Sequence, residues 1–492
     1  MAERIRPIGI VVAGAIACAV AGLAAGAPAA ETPGATISTD PALHPGFDRR
    51  IHDYVSRCGA SGELRISASP PEGGTVSVDG GHPWTVEHTT SVRLHGGQGV
   101  VVRAESPDGA DTYRVRCLPS GFPRWSSERS GTTQAQWYLL APVGGHHMRW
   151  VAIFDHDGAP VWWKHTNGRP FNATLLADGH IAWYRYFKSK FGVRWDTSYE
   201  EHRLDGKRVR DLAAVGVPTD FHELQQLPNG HFMVEGYKPR HHVDLTPYGG
   251  PSDATVYDSV IQEITRDGRL VWHWSSRGHI AISEAKRWWP RLGGRPRKRP
   301  PSEPGYDVVH LNSISPDGDG LVISARHTDA LYRIDRASGR IDWKLGGTHT
   351  PESLSIVGDP QYGTTTFGGQ HDARALPDGS ITVFDNGTDR HRPPRAVRYV
   401  IDPGARTATL VEQLTHPDAP ASQWGGSARK LPGGNWVTAW GGLKLLTETT
   451  PAGERVFRLT LRKGSWYRAF PVPYGTLSAS RLRDAMEEMH PR

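Results

Sequence analysis

The sequence predicts an all-β protein: a six-bladed β-propeller preceded by a small N-terminal β-sandwich-like domain. The 492 residues include 56 glycines and 38 prolines, which are too many helix-breaking residues for a helical protein. From Trp137 onward, strand-like runs and Pro-Asp-Gly-type turns recur at intervals of about 40 to 55 residues, the spacing of propeller blades. An open β-solenoid is the alternative, but a closed propeller protects its strand edges and is favoured here.

The first 30 residues resemble a secretory signal peptide. Basic residues precede an apolar stretch from Ile8 to Ala25, and small residues typical of a cleavage site follow it. The preferred interpretation is a secreted or extracytoplasmic protein. The alternative is an uncleaved membrane anchor, because the stretch approaches spanning length. No stable membrane insertion is expected.

Short β-like runs separated by Pro and Gly turns predict that the small domain spans residues 58–118. Cys58 and Cys117 remain once Cys18 is removed with the signal. In an oxidising compartment an isolated pair predicts one disulfide, with two free thiols as the alternative. The other predicted boundaries are a linker at 119–136, the propeller at 137–475 and a C-terminal tail at 476–492.

The charge balance argues against a nucleic-acid partner. The formal net charge of +6 is modest for this length and suggests a preference for anionic small molecules. The one dense basic run, residues 295–299, is interpreted as a solvated loop. The oligomeric state is left open.

Six copies of a four-strand unit make up the predicted propeller. In each copy, a Pro-Asp-Gly-type turn separates the first strand from the second. The first, second, fifth and sixth copies begin near Trp137, Asn172, Phe367 and Gln423, and the third and fourth surround the turns at 227–230 and 315–318.

Three histidines occupy one offset of this repeat. His222, His310 and His371 each lie six residues before the proline of such a turn. The first strand of a blade lines the axis, so equal offsets predict that the three imidazoles meet at one mouth. Insertions on one face of a repeat protein usually mark its binding surface. Four long loops are predicted to surround this mouth: 238–255, 277–306, 347–366 and 387–395.

Two further polar residues are predicted to join the histidines. Asn312 follows His310 by two residues on the same strand face, and Arg326 ends the next strand. Imidazoles, an amide and a guanidinium are donors suited to a tetrahedral oxyanion. A three-histidine metal site is the alternative that Asp372 and Asp385 keep open, although a fixed guanidinium would repel a cation. Neither a metal nor a cofactor is predicted.

Several strings around these residues resemble the bacterial arylsulfate sulfotransferase family. The resemblance extends from about residue 60 to the end of the chain. It is carried by Asp220-Phe221-His222-Glu223-Leu224, His310-Leu311-Asn312-Ser313-Ile314, Ser324-Ala325-Arg326-His327 and Gly369-Gln370-His371-Asp372.

The resemblance implies an exported enzyme that transfers a sulfuryl group from a phenolic sulfate ester to a phenolic acceptor. It implies no PAPS or other nucleotide donor, and no phosphate-cradling glycine-rich loop is found in the sequence. His371 matches the family's nucleophile, which forms a transient sulfohistidine. His222, His310, Asn312 and Arg326 match its sulfate-binding and leaving-group-assisting residues.

Two other functions are alternatives to sulfuryl transfer. One is a non-catalytic propeller that binds an anionic or glycan ligand, and the other is a His-ligated metallo-lyase or hydrolase. Trp288, Trp289 and Tyr306 in the mouth loops are candidates to stack on an aryl group, with ordinary packing weighted equally. The basic, proline-rich segment 291–304 is expected to influence acceptor choice.

Overall fold

The computed structural model describes residues 34–145, 148–186, 196–292, 304–361 and 367–492, and the backbone of 297–298. The predicted signal peptide, residues 1–30, lies outside this part of the chain. Strands account for 51% of the protein and helices for 6%, which confirms the all-β prediction.

Eight strands in two sheets form the N-terminal domain. They are β1 (Thr36–Asp40), β2 (Leu43–His44), β3 (Asp53–Ser56), β4 (Glu63–Ser69), β5 (Thr75–Val78), β6 (His88–Arg93), β7 (Gly99–Ser106) and β8 (Gly109–Cys117). The sheet orders are β1-β4-β6 and β2-β3-β8-β7-β5. Alternate residues of β4 and β7 are buried, as expected for strands with one face on a core. Three of these strands precede residue 58, where the domain was predicted to begin.

The predicted disulfide is present. Cys58 and Cys117 are bonded, with their Cα atoms 5.5 Å apart, and both side chains lie in the core of the N-terminal domain. The bond closes a loop that contains most of the domain's strands. A cross-link of this kind stabilises the folded domain mainly by restricting the unfolded chain.

The strands of the first three blades follow in chain order. After β9 (Trp125–Arg129), the first blade contains β10 (Ala135–Val143), β11 (Trp150–Asp155) and β12 (Pro160–His165). The second contains β13 (Arg169–Leu175), β14 (Ile181–Tyr186), β15 (Tyr199–His202) and β16 (Arg208–Leu212). The third contains β17 (Thr219–Gln226), β18 (Phe232–Val243), β19 (Ala254–Ile264) and β20 (Leu270–Ser275).

The last three blades have the same arrangement. After the short pair β21 (Arg297–Lys298) and β22 (Pro304–Gly305), the fourth contains β23 (Leu311–Asp317), β24 (Gly320–Ala325), β25 (Ala330–Asp335) and β26 (Ile341–Gly346). The fifth contains β27 (Ser355–Val357), β28 (His371–Ala375), β29 (Ser380–Asp385), β30 (Arg395–Asp402) and β31 (Thr407–Leu414). The sixth contains β32 (Ser427–Lys430), β33 (Trp436–Ala439), β34 (Leu445–Thr449) and β35 (Arg455–Leu461), and β36 (Ser465–Pro473) follows.

The innermost strands form a closed ring, as the propeller prediction requires. Strand β36 pairs with β10 and is the innermost strand of the first blade. Around the axis β36, β13, β17, β23, β28 and β32 each contact the next strand, and β32 contacts β36 again. The repeat that begins near Trp137 therefore supplies only the second to fourth strands of its blade.

Segments outside the repeats also take part in the propeller. Strand β9, within the predicted linker 119–136, pairs with β35 on the outer edge of the sixth blade. Helix α2 (Ala479–Met489), within the predicted tail, packs on β12. The other helices are α1 (Trp289–Leu292) and 3₁₀ helices at Thr246–Tyr248, Ile282–Trp288 and Arg326–Thr328. In the described residues, every helix is too short or too polar to cross a membrane.

Candidate active site

Irregular pairing at the mouth ends of four innermost strands shapes the site. The register of β13, β17, β23 and β28 with their neighbours shifts near the start of each strand. Asn172, His310 and Asp372 adopt positive φ angles of 46°, 55° and 57° at these places. Such angles are uncommon for residues with a Cβ atom, and bulges redirect side chains beside functional sites. The distortions therefore turn polar side chains toward the axis.

The three predicted histidines lie at the mouth ends of adjacent blades. His222 is on β17, His310 directly precedes β23, and His371 begins β28. The rings of His222 and His310 have centroids 4.8 Å apart, and His310 stacks on His327 at 4.6 Å. His371 lies close enough to both other rings for a positive charge on either of them to lower its pKa. All three are buried.

Carboxylates determine the tautomers of two of these rings. His222 Nδ1 is hydrogen-bonded to Asp220 Oδ1, and His310 Nδ1 is hydrogen-bonded to Asp307 Oδ2. A carboxylate can only accept a hydrogen bond, so each Nδ1 carries the proton. When neutral, both rings therefore have the lone pair on Nε2.

Asn386 determines the tautomer of His371 in the same way. Its Nδ2 donates to Ser422 Oγ at 2.7 Å and to the Gly425 carbonyl at 2.9 Å, so its Oδ1 faces the imidazole. His371 Nδ1 donates to this oxygen at 2.8 Å, which leaves the lone pair on Nε2. The Gly425 N–H, in a glycine with φ of 65°, donates to that Nε2 at 3.2 Å.

The environment keeps His310 and His371 neutral. Burial lowers the pKa of His310 to about 4, with the charges of His222 and Arg326 contributing and Asp307 opposing the shift. Burial also holds the pKa of His371 well below its usual range, and the guanidinium of Arg326 adds to this effect. His371 is therefore neutral near neutral pH, with its Nε2 lone pair accepting the N–H of Gly425.

Arg326 and Asn312 stand at the same mouth but are held differently. Arg326 begins the 3₁₀ helix after β24, its Cζ lies 4.2 Å from the Trp288 ring centroid, and its Nη2 donates to the Gln423 carbonyl at 2.8 Å. Asn312 is fully buried on β23, and its Nδ2 donates to the Gln370 carbonyl at 2.7 Å. The guanidinium is therefore the main fixed cation beside the histidines.

Below the histidines, three arginines and two carboxylates fill the axis. Asp372 accepts hydrogen bonds from Arg374 and from Arg429, whose Nε and Nη2 both lie at 3.0 Å from it. Glu223 accepts from Arg374 at 2.6 Å and from Arg468 at 3.2 Å. Burial alone would raise the pKa of Asp372, but the guanidiniums of Arg374, Arg429 and Arg468 hold it well below its usual range.

The pairing of these carboxylates bears on the metal alternative. Asp372 is engaged by arginines, and Asp385 accepts hydrogen bonds from Arg392 and Arg395 at 2.5 and 3.0 Å. Among the described residues, no group of neighbouring potential ligands contains two of the three predicted histidines. Asp372 and Asp385 are therefore poor metal ligands, whereas two other groups each contain one predicted histidine: Asp220 with His222 and Glu235, and Asp307 with His310 and His327.

The aromatic residues at the site differ from those the sequence suggested. Trp288, Trp289 and Tyr306 are 2%, 6% and 5% exposed and pack together in a hydrophobic cluster, so the ordinary-packing alternative applies. Trp424, by contrast, is 40% exposed. It lies between Gln423, which binds Arg326, and Gly425, which binds His371. Its signal in the sequence was its place at the start of the sixth repeat.

Three hydrogen-bond partners of the histidines complete the site. Asn386 directly follows β29, and no pattern in the sequence links it to His371. Asp220 and Asp307 lie two and three residues before their histidines. The spacings Asp-x-His and Asp-x-x-His were visible in the sequence and could have identified both carboxylates.

The family described as Arylsulfotransferase (ASST) matches residues 195–462, more than half of the chain. No curated protein sequence gives a significant match. A Bacteroides caccae protein of unknown function is 14% identical, with 69% of this chain and 99% of that chain covered and a TM-score of 0.42.

A second solved structure is a catalytically inactive virginiamycin B lyase from Staphylococcus aureus with quinupristin. It is 10% identical, with 69% of this chain and 100% of that chain covered and a TM-score of 0.32. Structural likenesses this weak say nothing about activity. The family match is of a different kind, since it spans the blades that supply all five predicted site residues. By this match the chain belongs to the arylsulfotransferase family, and its general activity is that of an aryl sulfotransferase.

Proposed function

We propose that the protein moves a sulfuryl group from an aryl sulfate to a phenol through a sulfohistidine formed on His371, without a nucleotide donor. The observation that carries this proposal is the neutral, oriented ring of His371. Asn386 holds its Nδ1 proton, and its Nε2 lone pair lies among imidazoles and the guanidinium of Arg326. A nucleophile with this orientation and charge state is suited to attack a sulfate ester.

In the first half-reaction, His371 Nε2 attacks the sulfur of the donor. An N–S bond forms, the bond from sulfur to the phenolic oxygen breaks, and the electron pair leaves with the phenolate. His222 is the better candidate to protonate this oxygen, because its Nδ1 is hydrogen-bonded to Asp220 while burial lowers the pKa of His310 to about 4.

In the second half-reaction, an acceptor phenol takes the place of the first. Neutral His222 removes the phenolic proton, the phenolic oxygen attacks sulfur, and the N–S bond breaks with its electron pair returning to His371 Nε2. His222 is then protonated again, so the cycle closes with no net gain or loss of protons. The two halves are chemically alike, which suits exchange between phenols.

The transferring group carries negative charge on its non-bridging oxygens. The guanidinium of Arg326 is placed to stabilise it, the N–H of Gly425 is released from His371 Nε2 when that atom bonds to sulfur, and Asn312 lines the same mouth. Because these donors are held by Gln423 and by the backbone, they need little reorganisation during the reaction. The exposed indole of Trp424 supports binding of the aryl ring.

We also propose that the protein acts outside the cytoplasm. The disulfide between Cys58 and Cys117 supports this location, because such bonds persist mainly in oxidising compartments. Measuring the free thiols of the protein isolated from the medium or the cell envelope tests the proposal. Two reactive thiols in the native protein would contradict it.

Intact-mass spectrometry after exposure to a chromogenic aryl sulfate tests the reaction. We expect the mass to rise by one sulfuryl group located on His371, and the group to disappear when a phenol is added. His371→Ala is expected to lose the adduct and at least about a thousandfold of turnover.

The control for this variant is His202→Gln. His202 is also buried, but it stacks on Trp183 in the second blade, with ring centroids 4.2 Å apart. It should keep the adduct and the turnover. Turnover by His371→Ala at the wild-type rate, or an adduct on another residue, would refute the proposed nucleophile.

A further inference from the structure

Glu235 on β18 lies opposite the bulge of β17 that carries Asp220 and His222. Strand β18 pairs Gly236 with Thr219 and Val234 with Leu224, so a two-residue step on β18 spans five residues of β17. The extra residues of β17 include Asp220 and His222. The irregular register therefore brings a glutamate of the second strand up behind residues of the axial strand.

The three side chains form one buried group. One oxygen of Asp220, one oxygen of Glu235 and one ring nitrogen of His222 all lie within 4.8 Å of one another. Asp220, His222 and Glu235 are 0%, 3% and 2% exposed. Two carboxyl groups are thus enclosed side by side, where solvent cannot separate their charges.

The hydrogen bonds of this group are incomplete. Asp220 Oδ1 accepts from the backbone N–H and from Nδ1 of His222. Among the described residues, Asp220 Oδ2 and both carboxyl oxygens of Glu235 have no hydrogen-bond partner. Buried polar atoms are almost always paired, so three neighbouring ones without partners need an explanation.

A single proton on Glu235 would explain them. Two adjacent buried carboxyl groups cannot both be ionised at low cost, and the one that receives N–H donors is the better anion. Asp220 receives two donors and Glu235 receives none. If Glu235 is protonated, its O–H can donate to Asp220 Oδ2, which gives both carboxyl groups a hydrogen-bond partner.

The charges around Glu235 are consistent with this assignment. Burial raises the pKa of Glu235 well above its usual range, and the negative charges of Asp220 and Glu223 add to the shift. The cations of Arg468 and Arg374 oppose it. The titratable and charged groups that face it are Asp220, His222 and Glu223 on β17, Arg374 on β28, and Tyr467 and Arg468 on β36.

We propose that Glu235 is a positioning residue that donates a hydrogen bond to Asp220 and so limits how strongly Asp220 holds the proton of His222. The proposal rests on the function proposed above, in which His222 gives its proton to the leaving phenolate. A hydrogen bond to Oδ2 withdraws negative charge from Oδ1. The His222 imidazolium is then less stabilised and releases its proton more readily.

The pH dependence of kcat distinguishes this role from a purely structural one. In Glu235→Leu the hydrogen bond to Asp220 is lost, so Asp220 holds the proton of His222 more strongly. We expect the limb of the kcat pH profile that reports His222 to move up by about one pH unit. In Glu235→Gln the amide can still donate to Asp220, so the limb should stay near its wild-type position. Equal losses in both variants with no shift of the limb would refute the proposal.

Infrared spectroscopy tests the proton on Glu235 without any turnover. The wild-type protein at pH 7 should show a protonated-carboxyl stretch that Glu235→Gln lacks. Asp155→Asn is the matched control, because burial also raises the pKa of Asp155 in the first blade, well apart from the mouth. It should lose a carboxyl stretch and keep the wild-type pH profile of kcat.

The two measurements separate failure of this inference from failure of the proposed function. If no adduct forms on His371 but Glu235→Gln lacks the carboxyl stretch, the protonated pair stands and the sulfohistidine falls. If the adduct forms and the infrared spectra of wild type and Glu235→Gln are identical, Glu235 is ionised and the inference is wrong.

Discussion

Two polar layers lie one below the other on the propeller axis, and they handle charge in opposite ways. In the mouth layer, burial keeps His310 and His371 neutral, and each ring leaves Nε2 without a proton. In the layer below, Arg374 and Arg468 are paired with carboxylates. The upper layer therefore holds neutral imidazoles and the lower one paired charges, although β17 and β28 contribute to both.

The difference shows how a propeller can place uncharged imidazoles above a highly charged core. Two innermost strands contribute to both layers at consecutive residues, β17 with His222 and Glu223 and β28 with His371 and Asp372. The carboxylates of the lower layer are engaged by arginines at hydrogen-bond distance, so they do not attract a proton to the imidazoles. The three guanidiniums of this layer outnumber its two carboxylates, and the excess positive charge helps to keep the rings above in their neutral form.

The largest expected effect comes from breaking the lower layer. Arg468→Met leaves Glu223 and Asp372 with one fewer guanidinium in a buried site, and we expect it to cost about 3–5 kcal/mol of unfolding free energy. Denaturant unfolding measures this loss.

Arg333→Met is the control for this variant. Arg333 also pairs with three carboxylates, but at the partly exposed edge of the fourth blade. It should cost about 1 kcal/mol or less. Similar losses in the two variants would show that burial of the axial network adds nothing.

Acid should expose the difference between the layers. Between its ordinary value of 6.5 and about 4, His310 is protonated in the unfolded chain and neutral in the folded protein. The unfolded chain binds more protons in this window, so stability falls as the pH falls, by about 3 kcal/mol for His310 at pH 4. The lowered pKa of Asp372 changes the unfolding free energy only below pH 3.8, the ordinary pKa of this carboxyl.

Unfolding free energies at pH 7 and pH 4 check this prediction. His310→Asn can still donate to Asp307, and it should show a drop smaller than the wild-type one by about 3 kcal/mol. An equal drop in unfolding free energy in both proteins would mean that His310 is not an acid-sensitive group.

The smallest expected effect concerns the exposed rim of the mouth. Trp424→Ala should raise the KM for aryl sulfates about tenfold, because stacking on an indole is worth about 1.4 kcal/mol, and leave kcat nearly unchanged. Trp424→Phe should recover most of the loss. Tyr474, 50% exposed at the end of β36, supplies the control Tyr474→Ala, which should change neither constant. A fall in kcat alone would refute the stacking role.

The repeated turns made most of the fold predictable. Five Pro-Asp-Gly-type turns mark the same strand junction in the second to sixth blades, and the shared offset of His222, His310 and His371 followed from it. The axial strand of the first blade was missed, because β36 is not followed by such a turn. Strand β9 was missed for a similar reason, since a single outer strand carries no repeat signal.

The site was predictable where its residues come from the repeat and less so elsewhere. Asn312 and Arg326 follow His310 at short distances and were found with it. Glu235 and Arg468 reach the axis from other strands, and their roles depend on register shifts and burial that no local pattern encodes. The exposure of Trp424 and the burial of Trp288 likewise depend on how loops pack.

The closure of the ring has a consequence for synthesis. Strand β36, which carries Arg468, is the last strand of the propeller to be made, and it lies between β13 of the second blade and β32 of the sixth. Until it docks, Glu223 and Asp372 lack their shared guanidinium and the mouth has a gap. A ribosome-bound or prematurely terminated chain is thus expected to be inactive, so sulfuryl transfer begins only with the finished molecule.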